Sequence, residues 1–77
     1  MKELIEFIAR SLVENPDSVT VNEEQGEDGT TIVTLVAAQE DMGRIIGKQG
    51  RTAKAMRTLL NAKATRENRR ATLRIEE

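Results

Sequence analysis

The stretch Gly43-Arg44-Ile45-Ile46-Gly47-Lys48-Gln49-Gly50-Arg51-Thr52 sets three glycines and three cations within ten residues. Glycine allows a backbone to approach a ligand closely, and Lys and Arg supply positive charge, so the chemistry on offer is the gripping of phosphate. Spacing excludes two kinds of nucleotide loop. A triphosphate loop needs four residues before its Gly-Lys pair and a Ser or Thr after it for magnesium, but only Arg44, Ile45 and Ile46 separate Gly43 from Gly47, and Gln49 follows Lys48. A dinucleotide fingerprint needs Gly-x-Gly-x-x-Gly directly after a strand, whereas Gly43, Gly47 and Gly50 are spaced otherwise and follow a helical turn. What remains is Gly47-Lys48-Gln49-Gly50 between two helices, with the amide donors of the second helix facing outward toward an anion.

The elements that must position this loop are legible as periodicities. Leu4, Ile5, Ile8, Ala9, Leu12 and Val13 make one apolar stripe, predicting a helix over 2–14 that Asn15 and Pro16 stop. Residues 18–24 alternate and lead into a glycine-containing turn; residues 31–38 are β-rich and apolar on both faces, as a central strand would be. Met42, Ile45 and Ile46 suit a short helix over 41–46 with acids at its amino end. Ala53, Met56, Leu59 and Leu60 give a second helix over 51–63, and Ala71, Leu73 and Ile75 alternate in a last strand over 71–75. With helices covering one sheet face, the chain reads as a two-layer α+β domain.

Net charge of −1 conceals a division. Residues 1–41 hold two cations against ten acids, a net −8, and residues 42–77 hold ten cations against three acids, a net +7. Such a molecule steers one end toward a polyanion. Acid-to-base self-association is the other reading of the same pattern. Histidine, cysteine and tyrosine are absent, and Ser11 and Ser18 have no recognisable base partner, so the inventory argues against an enzyme and offers no metal ligand set. A 77-residue domain with no disulfide or metal staple has a marginal core, which leaves room for a partner surface. No apolar run reaches membrane-spanning length, the first residues do not read as a signal peptide, and absence of cysteine suits a reducing cytoplasm.

The helix-GxxG-helix unit between two strands resembles a KH domain, a module that clamps single-stranded nucleic acid. RIIGKQG, residues 44–50, carries the match together with the basic helix and final strand that follow. The extra helix and strand before residue 31 are similar to the type II arrangement, and DMGRIIGKQGRTAKAMRTLL, residues 41–60, resembles the small stand-alone bacterial KH proteins of the KhpA-like family. The resemblance covers essentially the whole chain. It implies a single type II KH domain over 1–77, in the order helix-strand-strand-helix-GxxG-helix-strand, whose three-stranded sheet is covered on one face by three helices. It implies binding of about four unpaired RNA nucleotides in a groove lined by Arg44, Ile45, Lys48, Gln49 and the start of the long helix, opposite the strand of residues 31–38. Implied too are a bacterial, cytoplasmic setting, a role as RNA chaperone or post-transcriptional regulator, and pairing with a second copy or another KH-containing protein. No cofactor, metal, small-molecule substrate or membrane is implied.

Onto that frame the residues take expected roles. Lys48 is placed beside a phosphate, Gly47 and Gly50 allow backbone approach, and Gln49 meets phosphate or base. Arg44, Arg51 and Lys54 form a basic rim at helical spacing, with Arg57, Arg69, Arg70 and Arg74 as its outer members. Ile45 and Ile46 point in different directions; Ile45 is assigned to the groove floor and Ile46 to the core. Phe7, the lone aromatic, is expected in the core or at a dimer contact, so an RNA-binding aromatic platform is excluded. Two further readings stay open: a protein-interaction subunit with little RNA binding, and a binder of single-stranded DNA, since nothing in the loop reads a 2′-hydroxyl.

Overall fold

A computed structural model describes all 77 residues. Its elements are α1 (Lys2–Leu12), β1 (Thr20–Gln25), β2 (Thr31–Val36), α2 (Met42–Ile46), α3 (Arg51–Arg66) and β3 (Ala71–Glu76). The sheet order is β1-β2-β3, with β1 antiparallel and β3 parallel to the central β2. This is the expected two-layer α+β arrangement of a type II KH fold.

Boundaries shift where local chemistry overrides periodicity. α1 ends at Leu12, two residues early, because Val13 is already extended ahead of the Asn15-Pro16 corner. Pro16 opens a 3₁₀ turn over Pro16–Ser18, so β1 starts at Thr20 instead of residue 18. A second such turn, Gln39–Asp41, takes the chain from β2 into α2. α3 runs three residues past the expected 63, since Ala64, Thr65 and Arg66 continue the helix until Asn68 adopts a left-handed conformation and the Arg69 N–H closes onto the Ala64 carbonyl at 2.8 Å.

One face of β2, carrying Thr31, Val33 and Leu35, is buried under the helices together with Ile5 and Ala9 of α1, Ile45 of α2, Met56, Leu60 and Ala64 of α3, and Leu73 of β3. The pleat sends Ile32, Thr34 and Val36 to the opposite face, where they are half-buried beside Thr72, Arg74 and Glu76 of β3. Because β1 and β3 occupy opposite sheet edges, the division of charge along the chain becomes a division in space, with acidic β1 at one edge and α3 and β3 at the other.

A buried carboxylate ties the turn after α1 to the start of α2. Asp41, only 1% exposed, accepts hydrogen bonds from the backbone N–H groups of Glu14 and Asn15, each at 3.1 Å, and from Asn15 Nδ2 at 3.0 Å. Nearby, Arg44 Nη2 donates to Glu14 Oε1 at 2.7 Å. No helix is long and apolar enough to cross a membrane.

Burial opposes ionisation of Asp41, but the donors from Glu14 and Asn15 and the neighbouring Arg44 charge outweigh it, holding the carboxyl below its ordinary value. The ionised side chain therefore contributes stability in full above about pH 3.8, and that contribution fades as pH falls through the lower folded value. Asp41→Asn should lower the urea midpoint at pH 7, and its deficit against wild type should shrink as titration proceeds below pH 3.8. A deficit independent of pH would show that the carboxylate charge is not what ties the turn to α2.

Candidate nucleic-acid interface

The loop between α2 and α3 is built on backbone conformations that most side chains resist. Gly47 has φ 78° and ψ 169°, Gln49 has φ 58° and ψ 24°, and Gly50 has φ 76° and ψ 13°. Gln49 and Gly50 are thus consecutive left-handed residues, and the Gly50 N–H closes the turn onto the Gly47 carbonyl at 3.0 Å. Glycine is required at Gly47 for a second reason. A Cβ there would lie 2.7 Å from Thr52 Cβ and 2.8 Å from Thr52 N, inside the first turn of α3. Around Gly50, by contrast, the space is open. No side chain caps α3; the Arg51 N–H at its start donates back to the Lys48 carbonyl of the turn.

Lys48 and Gln49 stand exposed on this turn, and Arg51 Nη2 donates to Gln49 Oε1 at 3.3 Å, bringing those two side chains together. Lys54 lies one turn further along α3 and is also exposed. Arg44 is exposed on α2 but directed to Glu14, so a phosphate reaching it must compete with that carboxylate. The two isoleucines are placed the other way round from expectation. Ile45 is fully buried among the core residues, whereas Ile46 is 38% exposed. The assignment of Ile45 to a groove floor is therefore corrected: on this short helix the core-facing position is Ile45, and the apolar surface beside the loop belongs to Ile46.

The groove wall also moves. β2 is hydrogen-bonded on both sides and its helix-facing side chains are buried, so it cannot border an open groove. The open border is β3, the edge strand. A cleft of about 170 Å³ runs between α3 and β3, lined by Arg57, Leu60, Asn61, Ala71, Thr72 and Leu73. It adjoins a larger one of about 380 Å³ that shares Asn61, Ala71 and Thr72 and continues past Thr65 to Arg69 and Arg70. Arg57 thus belongs to the cleft wall. Arg69 is committed to holding the α3-β3 connection, donating from Nη2 to the buried Thr31 hydroxyl at 2.6 Å and pairing with Glu67 at 3.4 Å. Arg74 projects from the sheet face away from the helices and pairs with Glu76 at 3.2 Å, apart from the other cations. Sequence reasoning did not single out Asn61 on the cleft wall, since a neutral polar residue carries no motif; its only signal is the spacing Arg57-Asn61-Thr65, which puts all three on one flank of α3.

The two loop glycines should respond differently to substitution. Gly47→Ala combines a left-handed φ with the collision at Thr52 and should cost more than about 2 kcal/mol, whereas Gly50→Ala meets only the conformational penalty of about 1 kcal/mol. Urea denaturation monitored by circular dichroism measures both; equal losses would mean that Thr52 yields freely.

A model of the family described as KhpA/KhpB, KH domain, matches residues 2–75. RNA-binding protein KhpA of Clostridium perfringens is 52% identical over 75 residues, which are 97% of this chain and 99% of that protein. KhpA of Chlamydia trachomatis is 47% identical over 77 residues, covering 100% of this chain and 97% of that one. Among solved structures, Aquifex aeolicus Era bound to GDP·AlF4− superposes with a TM-score of 0.61 at 20% identity, over 95% of this chain and 28% of Era. Era in complex with MgGDPNP and nucleotides 1506–1542 of 16S ribosomal RNA gives a TM-score of 0.60, also at 20% identity. That likeness speaks to the fold alone. The family match and near-complete coverage by relatives about half identical lead to one conclusion: this chain belongs to the KhpA/KhpB family of KH domains.

Proposed function

We propose that the chain binds single-stranded RNA, with the strand's backbone on the Gly47–Gly50 turn and its bases turned toward the α3-β3 cleft. The observation that carries this reading is the placement of an uncapped, glycine-opened helix start, with Lys48, Arg51 and Lys54 around it, at the head of a cleft on the cationic side of the molecule. Lys48 neutralises phosphate as a mobile point charge, while backbone amides set its position. Ile46 supplies apolar surface beside the turn, and the buried side chains of Leu60 and Leu73 form the cleft floor. The relatives bear the name RNA-binding protein, which favours RNA over DNA as the strand bound. A span of about four nucleotides suits a single module of this kind. Such a short, non-aromatic site binds weakly, which fits a cytoplasmic RNA chaperone or post-transcriptional regulator that samples many transcripts.

Changing Lys48 and Gln49 together to Asp should weaken binding of an unstructured RNA pool by tenfold or more, as judged by fluorescence anisotropy. The slope of log affinity against log salt should become shallower by about 0.7 for each phosphate that the variant no longer neutralises. Unchanged affinity with an intact circular dichroism spectrum would remove the turn from the interface. Tighter binding of DNA than of RNA of the same sequence would assign the site to DNA.

A second surface supports self-association. Leu4 and Leu59 line a depression of about 640 Å³ between α1 and α3 with Ala62, Lys63 and Arg66; Phe7, one turn on from Leu4, is 73% exposed, and Leu59 is 50% exposed. Its α1 side carries Glu3 and Glu6 and its α3 side Lys63, Arg66 and Glu67, the last paired with Lys63 at 3.3 Å, which leaves Arg66 as the cation that a second copy related by a two-fold axis would set against an acid. Leu59→Glu should weaken the dimer by about tenfold or more in sedimentation equilibrium, in line with loss of one buried leucine. A wild-type chain that stays monomeric at every concentration would reserve this surface for a different protein.

A further inference from the structure

One cation beside the turn is already taken by an acid. Arg44 Nη2 donates to Glu14 Oε1 at 2.7 Å, although both side chains stand in solvent, 54% and 70% exposed. The other cations around the turn are free of acids. Lys48, Arg51 and Lys54 form no ion pair, and the side-chain partner of Arg51 is the neutral amide of Gln49. Arg44 nevertheless has the position of a rim member, three residues before Gly47 on the short helix that leads into the turn. An exposed ion pair is weak by default, since two long side chains must give up freedom to meet. Here the backbone holds one partner in place. The Glu14 N–H donates to Asp41 Oδ1 and the Asn15 N–H to Asp41 Oδ2, each at 3.1 Å, and Asp41 is the residue at which α2 begins. The root of the Glu14 side chain is thus fixed against the same helix that carries Arg44. Asn15 Nδ2 also donates to Glu40 Oε1 at 3.2 Å, setting a further carboxylate beside this turn. At this corner the acidic half of the chain reaches the cationic rim.

We infer that Glu14 is an internal competitor for the RNA backbone: its carboxylate occupies Arg44 in the free protein, and Arg44 joins the rim only when a phosphate displaces it. The inference rests on the RNA-binding reading above and adds to it the residue that holds affinity down. A carboxylate and a backbone phosphate both offer a guanidinium negative charge and a pair of acceptor oxygens, so they are exchangeable partners for Arg44. Exchange returns part of what the new contact gains, because one ion pair breaks as another forms. It also leaves the Glu14 carboxylate unpaired near the strand, where like charge repels. Binding at Lys48, Arg51 and Lys54 meets neither cost.

The test is a double-mutant cycle of Glu14→Gln and Arg44→Gln, read by fluorescence anisotropy with short oligouridine over a salt series. Glu14→Gln keeps the backbone N–H that Asp41 holds and breaks only an exposed ion pair, so the fold is preserved. It is expected to tighten binding at low salt by about 2- to 5-fold, the range set by an exposed ion pair, and to steepen the salt slope by up to about 0.7, one further phosphate neutralised. In the Arg44→Gln background the same change should leave affinity within about 1.5-fold, the residue of general repulsion. Glu40→Gln, which removes a charge from the same surface without releasing Arg44, measures that general repulsion directly and should give the smaller gain. Equal affinity of Glu14→Gln and wild type would overturn the competition. A gain that persists undiminished without Arg44 would overturn it too, assigning the effect to repulsion alone. Failure of wild type and every variant to bind the RNA at all would instead overturn the RNA reading itself.

Discussion

Asp41 is the point on which the arrangement of the whole domain turns. An α-β-β amino half and an α-loop-α-β carboxyl half carry opposite net charge, yet the chain must bring α1 and α2 into one layer. The buried carboxylate does so by gathering two backbone amides and one side-chain amide of the turn at Glu14 and Asn15, which lies between α1 and β1. A buried carboxylate left without donors is costly, and this one, with several acceptor sites, takes three donors of the part-buried turn at once. The consequence reaches the site. With the start of α2 held beside the turn after α1, Ile45 lies in the core, Ile46 lies outside it, and the Gly47–Gly50 turn precedes α3.

α3 then serves three surfaces with one sequence. Ala53, Met56, Leu60 and Ala64 form its buried stripe. On one flank Arg57, Asn61 and Thr65 look toward β3, and on the other Leu59, Lys63 and Arg66 look toward α1. Helical geometry separates these flanks across the buried stripe, so a copy docked against Leu59 leaves the β3 side open. The weak segregation of polarity along this helix follows directly: both flanks of the buried stripe keep apolar or neutral residues, Leu59 and Ala62 on one and Asn61 and Thr65 on the other, where a purely solvated surface would carry charge.

Much of this was legible in the chain. The glycine spacing and apolar periods, and the charge division between residues 41 and 42, predict the element order, the position of the loop and the central place of β2. What could not be read has physical causes. Which of two adjacent isoleucines faces inward depends on how a five-residue helix is rotated, and so short a helix has too few residues for its own periodicity to decide it. Which strand borders the cleft depends on sheet order: a parallel β3 paired to β2 takes the edge, a long-range fact invisible to local pattern. Arg69 resembled its cationic neighbours in sequence, but its partner is the buried Thr31 hydroxyl, 38 residues away.

The absence of aromatic residues from the cleft constrains how the domain can gain affinity. Aromatic stacking contributes to binding through the face of every base, independent of sequence; aliphatic side chains substitute for it only partly. With about three exposed cations at the turn, the electrostatic contribution is correspondingly modest and falls with salt. A single site of this kind discriminates poorly unless some interaction depends on the base, and it holds a transcript poorly unless a second site holds the same transcript. The Leu59 flank of α3 lies across the buried stripe from the Arg57 and Asn61 wall of the cleft, so a contact made there would leave the cleft unobstructed. Linking two such sites raises the effective concentration of the second once the first is occupied, so affinity for a long strand can exceed that for a short one with each cleft's interactions unchanged.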